Sequence, residues 1–207
     1  MSEVISPYAL TTVARVKDRL SMSEANFDTL LARMITGVTD FIEGECGGRR
    51  FLRTTYTNEV QTIFNKYQKM LALKNNPLVS ISSLQYRAGL KSTPNWTEFN
   101  TDDWEILEDG KAGLVRVYGM LEGVNTIRVS YIAGYLVDFE NFGSPTHTLP
   151  ADLTDLCERM TTKIFKKREH EGKLSETFEG STVTYGDLLD DDTKAILARY
   201  RRLPAFV

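Results

Sequence analysis

Very few side chains in this chain have the types and spacing that chemistry needs. There are two histidines, His147 and His170, and two cysteines, Cys46 and Cys157. A metal centre needs three or four such ligands at set spacings, and no H-E-x-x-H or Cys/His quartet is present. The acidic run from Asp187 to Asp192 lacks the glycine and distal glutamate of a calcium loop and reads as helix-capping acids. His147 falls in a loop, and His170 in the last turn of a predicted helix, where a cation suits the dipole. No G-x-S-x-G occurs. Cys157 lies on the apolar side of a predicted helix, so both cysteines, far apart and without a C-x-x-C partner, are expected to be buried, inert thiols. Gly44-Glu45-Cys46-Gly47-Gly48-Arg49-Arg50 lacks the preceding strand, the Lys-Ser/Thr pair and the following helix of a phosphate loop, and reads as a helix stop followed by two arginines. Glu105, Glu108 and Asp109 surround a turn, as solvated carboxylates do, instead of facing one another across a cleft. The expectation is no catalytic residue, no metal and no cofactor.

Two clusters are better suited to binding. Lys163, Lys166, Lys167 and Arg168 form a basic patch near a helix C-terminus, which is a solvated face or a contact for an acidic partner or DNA. Trp96, Phe99 and Trp104 sit in a polar loop, but the neighbouring charges are Glu98, Asp102 and Asp103, so packing over a sheet or at a subunit contact is favoured over stacking on single strands. A composition of 42% hydrophobic and 26% charged residues with a net charge of -3 names no partner by itself. No apolar run reaches the length of a membrane span, and the opening MSEVISPYAL lacks a basic and apolar leader, so the protein is expected to stay where it is translated.

The elements that would position these groups follow from periodicity. Thr11 or Thr12 caps a short helix carrying Val13, Val16 and Leu20, and Ser23 caps a second running towards Cys46. In that second helix Phe27, Leu30, Leu31, Met34, Ile35, Val38, Phe41 and Ile42 recur at i, i+3, i+4, i+7. From Phe51 to Tyr135 the period changes. Segments 54–60, 69–73, 81–86, 114–118 and 126–133 are β-rich, separated by turn signals such as Asn75-Asn76-Pro77 and Asp109-Gly110, which favours antiparallel hairpins. Pro150 stands at the first position of a third long helix with Leu153, Leu156, Met160, Ile164 and Phe165, ended by Gly172. The chain is expected to be one α+β domain. It has a helical bundle core (1–50 and 149–171), an inserted antiparallel β region (51–135) and a C-terminal extended arm plus short helix (172–207).

The closing region is the most informative. Gly172 to Asp187 is rich in hydroxyls, acids and glycine, with Phe178, Val183 and Tyr185 as its main apolar anchors, and is not expected to fold on itself. Asp190, Asp191 and Asp192 then supply a cap and first-turn acids, Ile196, Tyr200 and Leu203 recur at helical spacing, and Arg199, Arg201 and Arg202 complement the C-terminal dipole. Ordering the arm costs more backbone entropy than this helix returns by burial. It must therefore fold back on the body or dock on another subunit, and docking is the preferred expectation.

Several pieces, in order along the chain, resemble the head-tail connector (adaptor, head completion) proteins of tailed bacteriophages. They are Ala9-Leu10-Thr11-Thr12-Val13-Ala14-Arg15-Val16-Lys17; the helix ending in Ile42-Glu43 with the exit Gly48-Arg49-Arg50-Phe51; Asn76-Pro77-Leu78-Val79-Ser80-Ile81; Val129-Ser130-Tyr131-Ile132-Ala133-Gly134-Tyr135; Leu149-Pro150-Ala151-Asp152-Leu153; Leu174-Ser175-Glu176; Val183-Thr184-Tyr185-Gly186-Asp187; and Lys194 to Arg202. Residues 91–103 and 136–148 depart from the pattern. The resemblance implies a homo-oligomeric ring of twelve subunits that binds the portal protein after DNA packaging, receives the next neck or tail component, and lets double-stranded DNA pass without sequence-specific binding. It implies a place in the virion neck, reached from the host cytoplasm. In such relatives the C-terminal region engages the portal, which here points to Ile196, Arg199, Tyr200, Arg202 and Leu203, with Phe178, Val183 and Tyr185 as arm contacts. The alternative is a small nucleic-acid-binding module or enzyme using the basic patch or the tryptophan loop.

Overall fold

The computed structural model describes residues 6–63, 67–88, 95–118, 124–141, 144–168, 175–178, 181–184 and 189–201. The fold is α+β, with helices and antiparallel sheets. It divides into two compact units, one made of Met1–Gly48 with Val137–Arg201, the other of Arg49–Leu136.

In the first unit α1 (Val13–Leu20) is capped by Thr12, whose hydroxyl accepts from the Arg15 amide at 3.4 Å. The second helix opens differently from the expectation. A tight 3-10 turn over Ala25–Phe27 precedes α2 (Asp28–Glu45), with no side-chain cap. Phe27 is held there by the Phe165 ring, edge to face at 5.3 Å, so a tertiary contact fixes the helix start where a local cap was predicted. Leu31, Ile35, Val38 and Ile42 form the buried stripe of α2. In α3 (Ala151–Lys167) Leu153, Leu156, Cys157, Met160 and Phe165 form the matching one, and the two helices pack together. Pro150 is the residue before α3 and not its first turn, a shift of one position. The predicted stop at Gly172 lies outside the described residues. Two short strands, β8 (Ser175–Phe178) and β9 (Ser181–Thr184), pair antiparallel, with Phe178 opposite Ser181. The expected extended arm is thus a hairpin in its described part. Thr182, Val183 and Thr184 give β9 its β-propensity, as Thr177 and Phe178 do β8, and pairing satisfies backbone groups that a lone arm would leave to water.

The second unit holds two antiparallel sheets. One has the order β1 (Thr54–Thr62), β7 (Val124–Ala133), β3 (Leu78–Ala88), β4 (Trp96–Glu98). The other has the order β2 (Met70–Ala72), β6 (Leu114–Val117), β5 (Trp104–Ile106). Strands β4 and β5 fall in the stretch read as a polar loop. Each has only three residues, too few for a visible period, and each takes its register from a longer partner, β3 or β6. Strand β7 is paired on both sides, and its alternate residues Ile127, Val129, Tyr131 and Ala133 are buried. They pack with Leu71, Leu84, Val115 and Val117. Tyr131 carries polarity into this core. Its hydroxyl donates to Glu59 and accepts from Asn75 Nδ2 at 3.2 Å, and Asn75 Oδ1 accepts the Arg50 amide at 2.9 Å. Burial, then the Glu59 contact, pushes the phenol well above its ordinary value.

Two glycines allow the chain to make its closest approaches. At Gly110 (φ 79°) an added Cβ would lie 2.0 Å from the Leu78 carbonyl oxygen, and at Gly134 (φ 106°) 2.6 Å from that of Leu52. Alanine at either position adds left-handed strain to a backbone clash. Gly110→Ala and Gly134→Ala should each lower stability by about 2 kcal/mol or more in urea unfolding; a change within about 0.5 kcal/mol, typical of a neutral surface site, would contradict this geometry.

Candidate functional site

The sequence places the binding residues on the last helix, α4 (Asp191–Tyr200). Asp190 caps it, its carboxylate accepting from the Thr193 amide at 2.9 Å and from the Lys163 ammonium of α3. The Lys163 bond first, then those from Thr193, hold the Asp190 carboxyl well below the usual carboxylate range. Thr193 and Leu197 are buried, Ile196 and Tyr200 half-buried, so the apolar stripe faces inward. The Tyr200 hydroxyl donates to Asp152 Oδ1 at 2.6 Å, Arg199 lies 3.7 Å from Asp152 Oδ2, and Arg201 lies 3.5 Å from Glu45. The Cys46 thiol donates to the Leu197 carbonyl at 3.7 Å.

The closing helix itself lies against its own unit. The cap, the buried stripe and the tyrosine bond all end on α2 or α3, contacts that sequence reasoning missed because their partners lie 27 to 151 residues away. Asp152, an acid in the first turn of α3, was the only available signal. The outward side of α4 presents Asp191, Asp192, Lys194, Ala195, Ala198 and Arg199. Of the predicted docking residues on α4 within the described residues, Arg199 is the one turned to solvent, with 67% of its side chain exposed. Arg202, Leu203 and Tyr185 lie outside the described residues, as does His170. Phe178 and Val183 take their places in β8 and β9.

A second polar cluster joins α1 to α3. Glu158, buried on α3, accepts from the Thr11 hydroxyl at 3.0 Å and from Arg15 Nε at 2.6 Å, with Arg19 at 3.7 Å. Asp155 takes Arg19 at 2.7 Å and Arg159 at 3.1 Å. Glu158 is paired with cations, as a buried charge requires, while Asp155 pairs with its arginines at the exposed rim.

The basic patch is largely spent within its own unit. Lys163 serves Asp190, and Arg168 lies 3.7 Å over the Phe165 ring and 5.0 Å over Phe27. Cys46 and Cys157 are both free and buried. Burial pushes the Cys157 thiol up to about 12, with Thr39 Oγ1 at 3.8 Å, so it is protonated at any physiological pH. His147 organises its loop, its Nδ1 accepting the Asp138 amide at 3.0 Å. Among the described residues no group of three or more His, Cys, Asp or Glu is placed to hold a metal, and no helix is long and apolar enough to cross a membrane.

The aromatic trio separates in space. Phe99 packs on Tyr86 at 4.8 Å and Trp104 leans on the β core. Trp96 is flanked by two guanidiniums, Arg128 at 4.3 Å and Arg87 at 5.4 Å from its ring centre. The acids adjacent in sequence are therefore not its only charged neighbours. The arginines arrive from β3 and β7, strands that only the register brings alongside.

No family model matches the chain, and no curated protein matches it. Among solved structures, its fold is similar to that of a chain in the neck of an empty GTA particle computed with C6 symmetry. The TM-score is 0.58 at 16% sequence identity, and the match covers 100% of this chain and 96% of that one. The likeness is one of fold along the whole length.

Two outcomes test the α4 geometry. Leu197→Ala should cost about 2 to 5 kcal/mol and speed thiol labelling of Cys46 while Cys157 stays protected; unchanged Cys46 labelling would contradict the packing. Because Asp190 is more acidic folded than unfolded, its contribution is present above the ordinary carboxylate value near pH 4 and is lost as pH falls below it. The difference in thermal stability between the native chain and Asp190→Asn should therefore shrink on acidification below about pH 4; a difference independent of pH would contradict the assignment.

Proposed function

We propose that this chain is a structural subunit of the neck of a tailed-phage or phage-like particle, an adaptor and not an enzyme. Copies close into a ring, with twelve the number the sequence resemblance implies. The ring binds the portal protein after DNA packaging, offers the next neck or tail component its docking surface, and lets duplex DNA through. The observation that carries the reading is the match in fold to a particle-neck chain over the full length of both. The ordered sequence pieces, from Leu10-Thr11 to the closing helix, add an independent line of support.

A ring needs a heterologous contact, one patch of each copy meeting a different patch of the next, and so needs rigid, prefolded surfaces. Folding α4 back supplies one, since its outward side is presented without waiting for a partner. The portal contact is assigned to this closing segment, with Arg199 as its exposed charge, Ile196 and Tyr200 setting the helix against α3, Arg202 and Leu203 following, and Phe178, Val183 and Tyr185 as arm contacts. The virion neck is the resulting location, with the host cytoplasm as the place of assembly.

Negative-stain imaging of the purified chain with and without portal-bearing particles tests the reading. Ring-shaped density at the portal vertex is expected, and bare vertices at saturating protein would overturn it. Arg199→Glu should keep the native melting temperature while weakening attachment; attachment at native strength would remove Arg199 from the contact.

A further inference from the structure

The outward face of the β1-β7-β3-β4 sheet carries a feature that a ring subunit does not need for folding. The register aligns Gln85 with Arg128, and Arg87 with Thr126 and Trp96. Their neighbours Leu84, Ile127 and Val129 point into the core, so these residues stand on the opposite face. Arg128 and Arg87 both lie against the Trp96 ring, at 4.3 and 5.4 Å, which places the two guanidiniums no more than 9.7 Å apart. Arg87 donates one Nη to the Thr126 hydroxyl at 3.0 Å, and Arg128 donates its Nε to Gln85. Among the described residues neither guanidinium forms an ion pair with a carboxylate. Glu98, on the edge strand, accepts from the Ser83 hydroxyl at 3.1 Å, the Leu84 amide at 2.9 Å and Gln85. Although it forms no ion pair with Arg128, against the effect of burial these bonds and then the Arg128 charge hold its carboxyl below the ordinary value.

We infer that this face is a contact surface for the phosphate backbone of duplex DNA, carried by Arg87 and Arg128 and set by Trp96. Like charges this close repel, and stacking on one indole offsets the repulsion; Arg87 Nε is buried, one Arg87 Nη serves Thr126 and Arg128 Nε serves Gln85, so the remaining Nη groups are the ones that meet an anion. Two guanidiniums no more than 9.7 Å apart are close enough to meet neighbouring phosphates of one strand. The rest of the face suits phosphate better than protein. Thr62 is exposed on this face, the Thr126 and Ser130 hydroxyls already accept from Arg87 and from the Asn58 amide, and among the described residues Val60 is the only large apolar side chain exposed there, whereas a protein interface needs a desolvated apolar centre. Local charge agrees. Arg49–Leu136 contains eleven Lys and Arg against eight Asp and Glu, a net of +3 in a chain of -3. The inference does not require ring formation, so its failure leaves the neck reading standing and to be judged by portal imaging.

The test is fluorescence-anisotropy titration of a random-sequence 20-bp duplex with the full chain over a series of salt concentrations. The native protein should bind at low salt. The slope of log K against log salt should shrink by about 2 in Arg87→Gln/Arg128→Gln, by about 1 in either single variant, and stay native in Arg87→Lys/Arg128→Lys, which keeps the charge. The single variants decide the matter if the double variant melts early. Lys166→Gln/Lys167→Gln on α3 should leave the slope unchanged. No binding by the native protein at low salt, a native slope in the Gln variants, or loss of binding only in the α3 variant would overturn the inference. So would Gln variants that change self-association in sedimentation while the slope stays native, because the face would then meet another copy of the chain.

Discussion

Two backbone hydrogen bonds join the two ends of the β unit: the Tyr135 amide donates to the Phe51 carbonyl at 2.7 Å, and the Arg53 amide to the Tyr135 carbonyl at 2.8 Å. They fix the entry and exit of the β unit side by side, although more than eighty residues separate them in sequence. The helical unit depends on this, because α1 and α2 come from before the β unit and α3 and α4 from after it. Gly134 permits the approach, since any side chain there would meet Leu52. Central strand β7 stabilises it further, being paired on both sides directly before the exit. Loop closure of this length is slow and entropically costly, and an ordered β unit removes that cost before the helices meet.

Within the helical unit the two ends of the chain are tied to α3 by different means. The α1 end uses a buried carboxylate, Glu158, held by Thr11 and Arg15. The α4 end uses a buried leucine, a capped first turn and a tyrosine hydroxyl on Asp152. Charge alone would contribute little at such exposed rims, so Leu197 and Thr193 carry the docking of α4 and the ion pairs set its register. A closing helix ordered in this way offers any partner a surface without first being folded by it, which reduces the entropy lost on assembly.

How much of this was legible in the sequence depends on the distance over which each feature is determined. The apolar period of α2, the Thr12 and Asp190 caps and the alternation of β7 are local and were read correctly. The 3-10 entry to α2 is set by Phe165, and β4 and β5 are set by β3 and β6, so neither left a local trace. The arm was read as extended because its composition is polar, yet β8 and β9 pair with each other. The inward contacts of α4 left little local trace, because its partners Cys46, Asp152 and Lys163 are distant in sequence. The site followed the same rule. Arg199 was read as a cation suited to the helix C-terminus and lies exposed on α4, whereas the juxtaposition of Arg87 and Arg128 on Trp96 exists only once three strands are in register.

The central physical claim is that the closing helix owes its order to its own unit and needs no partner to fold it. Hydrogen–deuterium exchange on dilute, monomeric protein tests this most directly. The account predicts that amides from Ala195 to Tyr200 are protected to a degree comparable with those of α3. Exchange of α4 at the rate of an unstructured peptide, while α3 stays protected, would contradict it.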